Sequence, residues 1–319
     1  MKKIFIFLPI LLFSQINVKL KSYFFNEEYF KTGKYITTIQ NNNKTFFLGQ
    51  GQTFFGDDLY IYKTFNKNYS TFYLGGFANR VYGQKDNKFY TLSPIITIDY
   101  KKKNFVLEFG TLLKSFRKDL IDALYDRELI YYRSIENGFL IKDKIGNFRY
   151  KTYINWQQIN NNKNNEKFDV SLISSYKNIN LQGHYVHRGG QLYKNLPIMH
   201  SYAFALILSK TINNFTFYLI PTLSAYIDKS EFEHFKFGKG VLFKINYKNY
   251  SLKEWIGNNF YTKEGNPFYK SSKFTNFTIN KNNIISKNLI LITSFNAYLL
   301  YNKIFEHNEK IEIEYKNSL

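Results

Sequence analysis

Polar and apolar residues alternate with a period of two along most of this chain. Between Tyr90 and Tyr100 the even positions are Tyr90, Leu92, Pro94, Ile96, Ile98 and Tyr100, while the odd ones include Thr91, Ser93, Thr97 and Asp99. Phe148, Tyr150, Thr152, Ile154 and Trp156 interleave with Arg149, Lys151, Tyr153 and Asn155. Phe215, Phe217, Leu219, Pro221, Leu223, Ala225 and Ile227 keep the same rhythm, and Val241, Phe243, Ile245 and Tyr247 continue it. Successive side chains of a strand point to opposite faces, so each run is a strand with one greasy and one polar face. A soluble sandwich gives the same alternation. Length separates the two: soluble strands run about 5–6 residues, whereas strands that cross a bilayer need about 9–11. These runs have the membrane length.

The connections carry a second rhythm. Short Lys/Asn-rich turns fall at 66–69, 101–103, 143–147, 177–178, 211–214, 248–249 and 281–285. Between them lie mostly longer polar connections at 82–88, 115–136, 158–167, 189–197, 228–236, 262–272 and 301–308. Outer-membrane barrels have short turns on the periplasmic side and longer loops outside. Seven short turns, with both chain ends on their side, predict an all-β, antiparallel up-and-down barrel of sixteen strands, or fourteen. The first strand pair is expected near Lys44–Phe65, with a short connection at Gly56–Asp57.

Met1–Ser14 has the form of a secretory signal peptide: Lys2 and Lys3, then the greasy run Ile4–Phe13, then a small residue. The domain reading is therefore 1–14 signal peptide, 15–43 an N-terminal segment in the periplasm or partly in the lumen, and 44–319 the barrel. A further strand pair also fits 15–43, and the segment is too short for a folded plug. No stretch reaches the eighteen apolar residues of a membrane-spanning helix.

The signal peptide, the alternating strands and the short/long rhythm together resemble the general bacterial outer-membrane porin class. The resemblance implies an outer-membrane setting in a diderm bacterium, delivery by the barrel-assembly machinery, contact with outer-membrane lipid and passage of small solutes. A homo-oligomer is compatible with it. Members commonly end on an aromatic residue; here Ile311, Ile313 and Tyr315 alternate as a final strand should, and Lys316–Leu319 then follow.

Composition adds little beyond this. The chain has 33 Phe and 28 Tyr, which suits pleated surfaces and the aromatic girdles of membrane barrels. Its formal net charge is +20, but it is also heavy in the other AT-coded residues, Asn, Ile, Phe and Tyr, so basicity alone does not argue for nucleic acid. No nucleic-acid motif is present. Cysteine is absent, which excludes disulfides and thiolate metal sites. No cofactor or metal is expected.

The richest candidate segment is Lys114–Glu136. It carries Lys114, Arg117, Arg127, Glu128, Arg133 and Glu136, together with Lys118, Asp119, Asp122 and Asp126. Leu120 and Leu124, spaced i,i+4, predict a short helix. In porins a long loop often folds inward and narrows the channel, and charges there set ion selectivity. The competing reading is an external loop whose charges pair with one another. Parity turns Glu108, Arg149, Lys151 and Lys244 into the lumen, with Asn246 and Lys248, because a charge facing lipid near the midplane costs about 2–4 kcal/mol. The cationic excess predicts a modest anion preference.

His184 and His187 lie on opposite faces of a strand and cannot share a metal unless the strand bulges; the stretch reads as polar residues at a barrel rim. Trp255, Gly257, Gly265, Asn266 and Pro267 read as a strand followed by a turn. No nucleotide loop, G-x-S-x-G elbow or H-E-x-x-H is present. A Ser–His pair on a barrel wall, as in outer-membrane phospholipases, has no recoverable spacing here. The expected function is passive diffusion of small hydrophilic solutes, without enzymatic activity. The alternative is a barrel that acts through its loops in adhesion, assembly or secretion, and a membrane-embedded hydrolase ranks third.

Overall fold

The computed structural model describes residues 15–31, 34–35, 38–41, 44–47, 52–82, 89–113, 119–133, 135–160, 165–189, 198–228, 235–300 and 304–318. The predicted signal peptide lies outside them. The first strand is β1 (Gln15–Lys31), followed by three short pieces, β2 (Lys34–Tyr35), β3 (Thr38–Asn41) and β4 (Lys44–Phe47). Then come β5 (Gln52–Lys67), β6 (Ser70–Val81), β7 (Phe89–Lys102), β8 (Phe105–Leu112), β9 (Glu136–Ile145), β10 (Phe148–Gln158), β11 (Lys167–Tyr176) and β12 (Ile179–Arg188). The rest are β13 (Met199–Ile212), β14 (Phe215–Asp228), β15 (Lys236–Tyr247), β16 (Tyr250–Asn258), β17 (Lys273–Ser286), β18 (Leu289–Leu300) and β19 (Ile304–Ser318).

β1 and β5 to β19 form a closed antiparallel barrel of sixteen strands, as predicted. Each strand pairs with its sequence neighbour, and β1 closes the ring by pairing with both β5 and β19. Among the described residues, closure leaves the barrel sheet without an open edge strand. β3 and β4 pair as a separate two-stranded ribbon.

Seven short turns and both chain ends share one rim. The first residue of six of those turns has a left-handed φ, near +48 to +59°: Asn68, Lys103, Gly146, Lys177, Asn213 and Lys248. A two-residue hairpin requires such a φ to match the twist of its strands, and Asn and Gly supply it most readily. The 281–285 segment expected as a turn is instead strand; β17 runs to Ser286 before the chain reverses.

The N-terminal reading needs correction. Gln15–Lys31 is the first barrel strand, not a periplasmic or luminal segment. Its connection to β5 spans 32–51 and is long, and Gly56–Asp57 lie within β5. β1 hides its alternation because its inner face carries Tyr23 and Phe25 beside Lys19, Lys21 and Glu27, while Ser22, Asn26 and Glu28 interrupt its outer face.

Elsewhere the faces separate as parity requires. Leu92, Ile96, Phe109, Phe204, Leu223 and Phe243 expose 49–72% of their surface on the outside, an apolar band suited to lipid. Inside, the barrel is not empty. A buried apolar cluster of Leu120, Leu124, Tyr125, Trp255, Phe268, Tyr269, Phe274 and Tyr298 fills part of the lumen.

Candidate functional site

Two long connections fold into the barrel and fasten to its inner wall. The segment 119–133 includes a short α-helix, α1 (Leu129–Tyr132). Asp119 pairs with Lys151 of β10. Gln182 of β12 donates to the Asp119 carbonyl at 3.0 Å and accepts from the Ile121 amide at 2.9 Å. Asp122 accepts from Lys253 of β16 at 2.6 Å and pairs with Arg127 at 3.1 Å. The second connection, 259–272, lies against the first. The Asp126 amide donates to the Glu264 carbonyl at 2.6 Å, the Asn266 amide to the Asp122 carbonyl at 2.8 Å, and the Thr262 hydroxyl to the Ala123 carbonyl at 2.9 Å. Gly265 permits this approach: a Cβ there would sit 2.1 Å from the Ala123 carbonyl oxygen.

Aromatics pack this region. Trp255 is fully buried, donates to the Ser271 carbonyl at 3.0 Å, and meets Phe260 and Tyr269 edge-on. It occupies a slot beside Gly240, where a Cβ would lie 2.0 Å from the indole. Phe268 stacks on Tyr298 with ring centres 4.2 Å apart.

Next to these aromatics lies a buried polar cluster. Asp169 and Ser171 share the inner face of β11, His184 faces them from β12, and Glu264 enters from the second connection; all four expose 4% or less. The Ser171 hydroxyl and His184 Nδ1 share a hydrogen bond at 2.7 Å, and His184 Nε2 lies 3.5 Å from Glu264 Oε2. Arg133 pairs with Glu264, and Lys167 Nζ lies 3.8 Å from the same carboxylate. Asn155 and Gln157 donate to Asp169 Oδ1. Tyr125 packs edge-on against His184 with ring centres 5.9 Å apart.

Cavities lie on both sides. Toward the short turns, a polar cavity of about 730 Å³ extends from Asp122 and Glu128 down to Lys248 and Asn249. Toward the long connections, a recess of about 330 Å³ is lined by Arg133, Asn155, Gln157 and Lys167. Burial opposes ionisation of Asp122, but Lys253 and Arg127 outweigh it and hold this carboxyl well below its usual range. Burial raises Asp126 to about 6, with Asp122 adding to the shift against hydrogen bonds that lower it. Burial also raises Glu128 well above its usual value, reinforced by Asp126, Glu27 and Glu306.

Glu108, Lys151 and Lys244 take the inward faces that parity assigned. Arg149 lines a recess with Lys151 near the rim of short turns. Glu136 is buried at the start of β9, Arg127 and Glu128 line the large cavity, and Arg133 joins the buried polar cluster. Lys114 and Arg117 lie outside the described residues. Three expectations change. Leu120 and Leu124 are both fully buried, but in turns; the helix is four residues at Leu129–Tyr132. The loop's charges pair mainly with the wall and the second connection, with Arg127–Asp122 the pair inside the segment. His184 is not at a rim but buried against Ser171. Asp169, Ser171, Lys253 and Glu264 were not singled out from sequence. Parity does place Asp169 and Ser171 on one face, but only the fold brings Glu264 to them.

The barrel is similar to solved porins of Pseudomonas aeruginosa. OccK5 (OpdH) superposes with a TM-score of 0.53 at 10% identity, covering 96% of this chain and 98% of that one. OccK8 (OprE) gives 0.52 at 10% identity, covering 97% and 99%. OpdK gives 0.52 at 9% identity, covering 96% and 99%. At these identities the likeness is one of fold, and with the apolar outer band it places the chain in the outer membrane. No curated protein matches the sequence. The family model described as lipid A 3'-O-deacylase-type matches residues 14–318, nearly the whole chain. The chain therefore belongs to the lipid A 3'-O-deacylase-type family.

Proposed function

We propose that the protein is an outer-membrane channel for small hydrophilic solutes, narrowed by its two in-folded connections. The observation that carries this reading is the cavity of about 730 Å³, walled by Lys244, Lys253, Lys310 and a set of asparagines and open toward the short turns. A charged, amide-rich lumen filters solutes by size and sign. Segment 119–133 stands where a porin's constriction loop would. Lys253 and Lys310 face Asp122 and Glu312, so any anion preference rests on the remaining cations, Lys244 and Lys248 foremost. The test is single-channel conductance and reversal potential of the refolded barrel under a salt gradient. A steady, anion-preferring conductance is expected; a folded but silent barrel defeats the reading.

A second reading is favoured by the family match together with the Ser171–His184–Glu264 arrangement: hydrolysis of an acyl ester, with lipid A as the substrate that the family's name indicates. The Ser171 hydroxyl would attack the ester carbonyl while His184 Nδ1 takes its proton and passes it to the leaving alcohol. Water would then release the fatty acid from Ser171. Glu264 would stabilise the imidazolium. Mass spectrometry of lipid A from cells carrying the protein, with Ser171→Ala as control, tests this. Loss of one acyl chain that depends on Ser171 supports hydrolysis, and unchanged lipid A removes it. Ser171→Ala should leave conductance unaltered, so the two readings separate.

A further inference from the structure

We propose that Asp169, His184 and Glu264 form a site for a divalent transition cation of zinc's class, which ties the in-folded 259–272 connection to the barrel wall. The inference rests on neither functional reading. The three side chains are fully or almost fully buried, and one ligand atom from each lies within 4.8 Å of the others. His184 Nε2 and Glu264 Oε2 are 3.5 Å apart. A tetrahedral cation held ~2.0–2.2 Å from N and O ligands sets its ligand atoms about 3.4 Å from one another, so small movements close the set.

The surrounding bonds point the same way. His184 Nε2 is buried and has no hydrogen-bond partner among the described residues, while the far side of the ring is held by Ser171. When Nδ1–H donates to the Ser171 hydroxyl, the lone pair falls on Nε2, the tautomer a metal needs. Glu264 is anchored through Oε1 by Arg133, and Asp169 through Oδ1 by Asn155 and Gln157. Outer partners of this kind fix ligand orientation in metal sites. One imidazole with two carboxylates suits zinc and its neighbours, whereas calcium favours six or more oxygens. Three protein ligands leave a fourth position for water or a small anion, and Arg133 and Lys167 beside Glu264 favour an anion there.

The site would do mechanical work. Asp169 and His184 belong to rigid wall strands, and Glu264 to a connection that itself holds segment 119–133 through backbone bonds. A bound cation would pin both connections inward. A cation on Nε2 also keeps Nδ1 protonated, so His184 could not then serve Ser171 as a base.

The experiment titrates Zn²⁺ into the refolded, chelator-treated full chain against a chromophoric chelator, and repeats the titration with Co²⁺ read by visible absorption. The expected result is one tight equivalent per chain, ligand-field bands with Co²⁺, and slower proteolysis of the 259–272 connection when Zn²⁺ is bound. Ser171→Ala should weaken binding roughly 10–100-fold, as loss of an outer partner does, and His184→Ala by more than that. Folding of each variant is checked by its heat-sensitive gel mobility, and Asp169→Asn replaces His184→Ala should that variant not fold. The double variant His187→Ala/His200→Ala, on the outer face, should bind as the wild type does. No stoichiometric binding overturns the proposal. So does undiminished binding by folded His184→Ala or Asp169→Asn, or loss of binding in the outer-face double variant.

Discussion

Four neighbouring strands change their inner chemistry halfway along. Toward the long connections, β15 to β18 turn Leu242, Trp255, Phe274 and Tyr298 inward, all nearly or fully buried. Toward the short turns the same faces carry Lys244 and Asn246, Lys253 and Ser251, Asn280 and Asn282, and Asn296 and Ser294, which line the large cavity. The strand, parity and pairing are constant, so the difference comes from what the inner face meets. The upper half meets two in-folded connections and is packed as a protein core; the lower half meets water and is polar. The inner wall of a barrel thus answers to its contents, and apolar residues there mark where the lumen is filled.

Trp255 offers the sharpest way to break that contrast. Its indole fills the slot beside Gly240 and touches both the wall and the second connection. Trp255→Ala should cost about 3–5 kcal/mol of stability, the usual loss for a fully buried large aromatic. The barrel's backbone pairing does not depend on the indole, so strand content should survive while the upper half loosens. Denaturant unfolding measures the first effect, and a rise in single-channel conductance reports the second. Stability within 1 kcal/mol of wild type, as an order-of-magnitude threshold for a surface change, would mean that the upper half is not packed as described.

How far this division was legible in the sequence depends on the strand. β7, β10 and β14 announce themselves because their inner faces are polar enough to contrast with lipid-facing Leu92, Trp156 or Phe217. β1 reads ambiguously, as a plugging segment or as part of a further strand pair, because Tyr23 and Phe25 face inward to pack against Tyr131 of α1, which erases the contrast. Trp255 reads as an ordinary strand residue for a different reason: it is a lone aromatic on a face that otherwise carries Ser251, Lys253 and Gly257, with Leu252 and Ile256 outside. Glu264 carries no local signal at all. It sits in a polar connection that looks like any other, and its meeting with Asp169 and His184 joins residues 95 and 80 positions apart through barrel closure and loop infolding. Charged residues were well placed where a lipid penalty enforces parity, as for Glu108, Lys151 and Lys244, and poorly placed in connections, where nothing enforces it.

A smaller effect follows from protons at the boundary between the two halves. Burial raises Asp126 to about 6, with Asp122 adding to the shift, and Glu128 is raised by burial and by Asp126. A carboxyl raised in the docked state keeps a proton that the released loop gives up near pH 4. Its contribution to docking is therefore full below about pH 4 and is lost as pH rises through about 6. Asp122 has the opposite sign, lowered by Lys253 and Arg127 against its burial, and its contribution fails only below about pH 4. Between pH 4 and 7 the net expectation is a looser segment 119–133 at higher pH. Amide hydrogen exchange of that segment, corrected for the intrinsic rate, should show protection falling over this window. Asp126→Asn should flatten the trend; a slope that persists in this variant would assign the effect elsewhere.

The smallest expected effect separates charge from packing inside the hydrated half. Lys253 and Lys244 are inward neighbours across β15 and β16, yet their settings differ. Lys253 holds Asp122 of the in-folded segment at 2.6 Å, whereas Lys244 stands over the Tyr218 ring at 5.4 Å. Lys253→Gln should move both stability and selectivity, because it leaves Asp122 with a weaker partner at the boundary. Lys244→Gln removes a cavity charge without releasing either connection, so stability should change by no more than about 0.5 kcal/mol. The reversal potential under a salt gradient should shift toward cations in proportion to the lost charge. A shift in potential with unchanged unfolding would place Lys244 in the solute path of the hydrated half. Unfolding altered as much as by Lys253→Gln would mean instead that the polar wall, like the packed one above it, holds the in-folded segments in place.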